Sequence, residues 1–324
     1  MSSLKNVLLF ADPGVDDAFA IMYSVLHPDI NVVGIVAGYG NIEVEIATRN
    51  IATILNILDV DIPIYGGANQ PVSDVYVEFY PEIHGVEGLG DFEPEGLGYQ
   101  LTNFTDLYEV FDLYDDVSVV EIGRNTGLMV AYMLGKQKME QVKDYYIMGG
   151  AFLVPGNVTP AAEANFYGDP VASKFVFENI ETHVFPLDVT GEALVSPEMI
   201  DYIIENSPVE SIKEPIQLMF SFYNEVYQEF IPGLNGALIH DIVPLMYLTN
   251  PEMFTMIERE VYIETSTGPG RGESIADFRP NYGLIPEEEK PEEAEKKQLI
   301  ALEMDYSEFF RLFLETFVRD LPEE

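Results

Sequence analysis

The chain contains no cysteine. That absence excludes disulfides, thiolate chemistry and cysteine-ligated zinc or iron–sulfur sites. Basic residues are scarce: 16 Lys and Arg stand against 56 Asp and Glu, a formal net charge of -40. A surface this acidic repels nucleic acid and anionic membranes, so neither is expected as a partner. It also disfavours phosphorylated substrates unless a bound cation offsets the field, while neutral or cationic small molecules stay acceptable. The bulk charge itself reads as solubility or salt adaptation. The N-terminal Met1-Ser2-Ser3-Leu4-Lys5-Asn6 leads into an apolar run too short for a signal peptide or a membrane span, and the expected compartment is the cytoplasm.

What the chain does have is apolar content near half, in 324 residues, enough to bury a large core. Short β-rich runs at 7–10, 32–36, 62–65, 117–122, 145–148 and 183–187 alternate with helical patterns at 43–58, 127–134 and 169–179. Such alternation means parallel strands joined by crossover helices. The expected fold is therefore α/β, a single doubly wound, mostly parallel sheet flanked by helices, over 1–324. After Pro197 the pattern turns mostly helical: 208–230 reads as one long helix or two broken ones, and 306–321 as a closing amphipathic helix. A strand is expected at 260–265. A proline-bounded charge run from 286 to about 297 reads as a solvated surface segment, with a partner tail as the alternative.

The densest chemistry lies at Asp12-Pro13-Gly14-Val15-Asp16-Asp17, directly after the apolar run at 7–10 and before an apolar helix expected from Ala18 to Leu26. Crowded carboxylates are unfavourable unless a cation or a shared proton relieves them. Oxygen ligands on a turn suit calcium or magnesium better than zinc. The carboxyl end of a strand in an open α/β sheet is also where ligands bind. Helix capping accounts for Asp16 or Asp17, but not for Asp12 beyond the Pro-Gly turn. A second cluster runs from Met148-Gly149-Gly150-Ala151 through Gly156-Asn157 to Glu163-Ala164-Asn165. Asn157, Glu163 and Asn165 offer the donors and acceptors that a polyhydroxyl ligand such as ribose needs, though Gly156-Asn157 alone also reads as a turn. In a third cluster, Asp241 could add a carboxylate to a metal and His240 could donate a proton at neutral pH; a helix start is the plainer alternative. The glycine-rich run from His84 to Gly90 lacks a preceding strand and a following helix, so it reads as a flexible lid and not as a dinucleotide fingerprint. His27 and His183 read as structural.

In this order, these segments together resemble the nucleoside hydrolase family of the inosine–uridine-preferring type. The likeness also takes in Gly40-Asn41, Leu187-Asp188-Val189-Thr190, Glu264-Thr265 and Arg271-Gly272. The resemblance implies one calcium ion, Ca2+, held by the carboxylates of Asp12, Asp17 and Asp241 and the backbone carbonyl of Thr126. It implies that Asp16, Asn41, Asn157, Glu163 and Asn165 hold sugar hydroxyls. It further implies hydrolysis of a small-molecule nucleoside or riboside, with Asp12 activating water. His240 would protonate the leaving base, with His84 the second choice beside the substrate, and the enzyme would be a homodimer or homotetramer.

Four positions depart from the family pattern. Phe10 stands where an acidic residue is usual, Gly123-Arg124-Asn125-Thr126-Gly127 replaces Gly-Pro-Leu-Thr-Asn, Ala164 replaces Phe, and Ile242 replaces Pro. Arg124 and Ala164 raise two alternatives, a hydrolase of a modified or non-nucleoside riboside and a riboside-binding protein without turnover. A phosphatase of the haloacid-dehalogenase type is set aside, because Gly14 stands where its second aspartate belongs.

Overall fold

A computed structural model describes residues 4–73, 77–94, 98–279 and 296–320. Its centre is a nine-stranded sheet. In chain order the strands are β1 (Lys5–Ala11), β2 (Ile30–Ala37), β3 (Ile64–Gly66), β4 (Leu101–Thr102) and β5 (Ser118–Glu121). β6 (Tyr145–Met148), β7 (His183–Phe185), β8 (Phe254–Arg259) and β9 (Gln298–Met304) follow. Across the sheet the order is β8-β9-β7-β6-β5-β1-β2-β3-β4. Every neighbouring pair is parallel except β8 against β9. The expected mostly parallel sheet is what the chain forms.

Both faces of the sheet are covered, as side chains alternate along β1. Val7, Leu9 and Ala11 enter one core, while Leu8 and Phe10 enter the other. The first core is closed by α1 (Val15–Leu26), α2 (Val44–Ile57), α6 (Pro197–Asn206), α7 (Lys213–Phe230) and α9 (Tyr306–Phe317). In α9, Phe309, Phe313 and Phe317 recur every fourth residue on one face, and Phe317 meets Phe19 of α1 edge-on at 6.0 Å. The second core lies under α3 (Thr126–Leu134) and α5 (Pro170–Asn179), with the short α4 (Ala164–Gly168) between them in the chain; α8 (Val243–Thr249) follows α7. β1 lies between β2 and β5, so the chain winds away from it in both directions. Such a reversal opens a crevice at the carboxyl ends of the two strands.

Several elements differ from their sequence reading. The helix after the Asp-rich turn begins at Val15 and not at Ala18, which places Asp16 and Asp17 in its first turn, where the helix dipole favours negative charge. The strand expected at 183–187 stops at Phe185, because Pro186 ends it and a helical turn Leu187–Thr190 follows. The strand expected at 260–265 shrinks to Tyr262–Ile263, paired with Ser274–Ile275 in a separate ribbon. The sheet edge is built instead from β8 and β9. The stretch 208–230 is a 3₁₀ turn Glu210–Ile212 running into the single helix α7. The charge run at 286–295 lies outside the described residues. Among the described residues, no helix is long and apolar enough to cross a membrane.

Leu8 has no solvent exposure and sits mid-sheet. Leu8→Ala is expected to cost about 2–5 kcal/mol of stability, as for buried leucines generally, with the urea slope unchanged. A loss below ~1 kcal/mol in urea unfolding would contradict this placement.

Candidate active site

The turn from β1 into α1 is folded around Asp17. Its carboxylate accepts the backbone N–H of Asp12 at 3.0 Å and that of Gly14 at 3.1 Å, so the acidic cluster is part of the turn's own hydrogen bonding. Asn41, just after β2, donates its backbone N–H to Asp12 Oδ2 at 2.7 Å and its side-chain amide to Asp17 at 3.0 Å. Gly40 must be glycine, since a Cβ there would run into Asp12 Oδ2. Asp16, Asp17 and Asp241 are buried and bring carboxylate oxygens within 4.8 Å of one another. Asp12 abuts this trio through Asp17 without belonging to it. Asp12 Oδ1 and Asp16 Oδ1 are buried without a hydrogen-bond partner, the latter 3.8 Å from His84 Nδ1. Thr126, at the head of α3, turns its hydroxyl away, to Asp169 at 2.7 Å and Tyr39 at 2.9 Å.

Burial first, then mutual repulsion, raises these carboxyls. Asp16 is pushed up to about 8 by burial and by Asp17, and Asp17 to about 6 by burial, against the pull of the Gly14 and Asp12 backbone N–H groups. Burial and Asp17 push Asp12 upward, with the Arg124 charge opposing; burial and Asp16 push Asp241 upward. The cluster therefore either holds protons or faces a cation.

Above it opens a pocket of about 350 Å³. Asp16, Asn41, His84, Asn157, Glu163, Asn165, His240 and Asp241 line it, whereas Asp12, Asp17 and Thr126, also singled out in the sequence, do not. Three of them also hold the wall. Glu163 caps α4, accepting the N–H groups of Asn165 at 2.8 Å and Gly150 at 2.9 Å, and burial raises it to about 7. Asn165 donates to the carbonyl of Ile122 at 3.0 Å, and Asn157 accepts the N–H of Ala164 at 3.0 Å. The far wall is apolar and aromatic: Tyr223, Val226, Tyr227 and Phe230 of α7, with Ile231 beyond it. Ala164, which stands in place of the family's usual Phe, also lines the pocket.

His240 has both ring nitrogens engaged, Nδ1 with the Thr190 hydroxyl at 2.9 Å and Nε2 with the Tyr227 hydroxyl at 3.0 Å. Burial lowers it to about 4, so at neutral pH it is an uncharged member of a hydroxyl–imidazole–hydroxyl chain. His84 is likewise lowered, to about 3, by burial and by His240; its Nδ1 accepts the N–H of Val15 at 3.1 Å. The glycine-rich run is thus not a free lid. His84 latches it to α1, Asn50 donates to the Glu87 carbonyl at 2.8 Å, Arg49 pairs with Glu87 at 2.6 Å, and Gly90 lies against Met219 of α7. Positive φ at Gly85, Gly88 and Gly90 is what glycine supplies there. The other two histidines are structural, as expected: His183 packs between Tyr146 and Tyr247, and His27 accepts the N–H of Asp29.

One neighbour of the cluster was not anticipated as part of the site. Glu121 is 2% exposed, is paired in register with Phe10, accepts the Gly123 N–H at 3.0 Å and leaves its other oxygen unpartnered. A lone acid in the apolar run 117–122 was the available signal.

The fold and its carboxylate-floored pocket are those of an N-glycosyl hydrolase of ribonucleosides. The chain belongs to the inosine-uridine preferring nucleoside hydrolase family, whose family model matches residues 7–311. It is 29% identical over 267 residues to uridine nucleosidase 1 of Arabidopsis thaliana, covering 81% of this chain and 79% of that protein. It is 28% identical over 283 residues to the pyrimidine-specific ribonucleoside hydrolase RihB of Escherichia coli O1:K1, covering 84% and 87%. Among solved structures, the fold is similar to a plant nucleoside hydrolase, PpNRh1, at a TM-score of 0.88 with 24% identity, covering 98% of this chain and 99% of that one. It is also similar to the purine-preferring ribonucleoside hydrolase from Gardnerella vaginalis, at 0.83 with 24% identity, covering 97% and 98%.

The raised carboxyls carry a signed consequence. Asp16 and Asp17 bind protons more tightly folded than unfolded, so their contribution is full below the ordinary 3.8 and is lost as pH rises through about 6 and 8. Chelator-treated protein is therefore expected to melt lower at pH 8 than at pH 5.5, and an added divalent cation should restore most of the loss. A chelated melting temperature that rises over this range would contradict the buried cluster.

Proposed function

We propose that the chain hydrolyses the N-glycosidic bond of ribonucleosides to free base and ribose, with calcium at the pocket floor and Asp12 as the base that activates water. The observation that carries this reading is the convergence of four buried carboxylates beneath one pocket whose floor is polar and whose far wall is aromatic and aliphatic. A sugar fits the first surface and a base the second. The donor set is all oxygen and includes unpartnered buried atoms on Asp12 and Asp16, which suits calcium's preference for six to eight oxygen ligands. Asp12, Asp17 and Asp241 with the Thr126 carbonyl would hold the ion, and Asp16, Asn41, Asn157, Glu163 and Asn165 the ribose hydroxyls. Bound there, calcium supplies orientation of water and of the sugar, with less acidification of water than zinc gives.

The chain's own residues account for the proton movements. Asp12, fixed through Oδ2 by the Asn41 N–H, takes the proton of the attacking water. Carboxylates around the pocket favour the positive charge that grows on the sugar as the bond to the base breaks. His240 is the proton donor on the leaving-base side. Being uncharged at neutral pH, it works as part of the chain that joins the Thr190 and Tyr227 hydroxyls. His84 stays a contact of the substrate and a latch for its own loop. The protein is proposed to act in the cytoplasm as a homodimer or homotetramer. Of the alternatives, a modified riboside retains one support, Ala164 in the pocket wall; Arg124 is not among the residues lining the pocket.

Asp12→Asn should lower kcat by about 10²–10⁴-fold, the usual worth of a general base, while nucleoside binding persists. Near-normal turnover would refute its role. His240→Ala and Tyr227→Phe should slow nucleosides more than nitrophenyl riboside, whose leaving group needs no proton. Equal losses on both substrates would place the chain of hydroxyls outside leaving-group protonation.

A further inference from the structure

Arg124 occupies the turn between β5 and α3, and it is buried, with 6% exposure. Its Nη2 donates to the Gly40 carbonyl at 3.1 Å and to the Glu78 carbonyl at 2.6 Å, and the guanidinium lies 5.0 Å over the Tyr39 ring. The Gly40 carbonyl belongs to the same peptide group as the Asn41 N–H, and that N–H donates to Asp12 Oδ2 at 2.7 Å. A cation on the carbonyl end of a peptide polarises it and strengthens donation from its N–H end. Two glycines make the close approaches possible. A Cβ at Gly40 would strike Asp12, and a Cβ at Gly168, the last residue of α4, would strike Arg124 Nε.

We infer that Arg124 is a positioning residue for Asp12: through the Gly40–Asn41 peptide it fixes the carboxylate that receives the water's proton, and through Glu78 it ties the segment leading to Tyr80 and His84 to the same wall. The inference rests on the proposed role of Asp12. It also gives the departure at position 124 a task away from the substrate, since the guanidinium is spent on backbone carbonyls and an aromatic face. Tyr39 extends the arrangement, because its hydroxyl bonds Thr126 at the head of α3. Two segments, 39–41 and the one carrying Glu78, therefore meet on one side chain.

The test uses Arg124→Met, which removes the guanidinium, and Gly168→Ala, which keeps it but displaces it. Both are assayed on a nucleoside and on nitrophenyl riboside, with the calcium dissociation constant measured by calorimetry. Loss of a supporting residue behind a site is typically worth about 10–100-fold, and both variants should lose kcat in that range on both substrates alike. With calcium saturating, KM should move by less than about threefold, since neither Arg124 nor Gly168 lines the pocket. Calcium should bind more weakly as Asp12 loses its orientation. Removal of a nearby positive charge alone would tighten it. If Arg124→Met does not accumulate as folded protein, Gly168→Ala reads the same quantities. Wild-type kcat in either folded variant overturns the inference, as does a loss carried by KM, a loss confined to the nucleoside, or tighter calcium binding. A wild-type protein that hydrolyses no nucleoside overturns the reading of Asp12 and this inference with it, whereas an active wild type with unaffected variants overturns this inference alone.

Discussion

The rest of the structure depends on the mutual repulsion of carboxylates that the fold holds together out of water. Asp12, Asp16, Asp17 and Asp241 come from two distant stretches of chain and are buried at one point. Desolvation and like charge both oppose that arrangement. It persists because the backbone is bent to serve it: the N–H groups of Asp12, Gly14 and Asn41 all point at these carboxylates. Those bonds stabilise the charges only in part, so the site keeps a strong demand for positive charge. In the proposed reaction a hard cation in the ground state and a cationic sugar in the transition state would answer the same demand.

The sheet supplies the place. β1 and β5 end side by side where the winding of the chain reverses, so Asp12 and the turn carrying Arg124 leave the sheet next to each other. Phe10 shows how local this arrangement is. Its side chain belongs wholly to the hydrophobic core beneath α3, while its register partner on β5, Glu121, brings a carboxylate to the same level of the sheet. The charge that the family usually carries on β1 thus has a counterpart one strand away.

Much of this was legible in the sequence, for physical reasons that differ by element. The inner strands could be read because both their faces are buried, which leaves unbroken apolar runs at 7–10, 32–36 and 145–148. That end of the sheet could not: charged Glu258 and Arg259 interrupt the pattern in the edge strand β8, as edge strands require, and Glu303 interrupts it in β9 beside it. The lining of the pocket was readable from residue type and order taken together, since Asn157, Glu163, Asn165, His240 and Asp241 each admit a plainer reading alone, as turn or helix start. Roles that depend on long-range contacts were not. Nothing in the sequence says that Arg124 reaches Gly40, 84 residues away, or that Tyr227 meets His240. The glycine-rich run at 84–90 misled for a related reason, because positive φ looks like looseness in a sequence and like tight packing in the structure.

The most direct measurement of the central claim is release of free ribose from inosine, adenosine, guanosine, uridine and cytidine, each with calcium and with chelator. The account predicts release from at least one of the five that chelator abolishes and calcium restores, with the order of rates reporting how the apolar wall and the space beside Ala164 receive the base. No release from any of the five by protein that demonstrably binds calcium would contradict it.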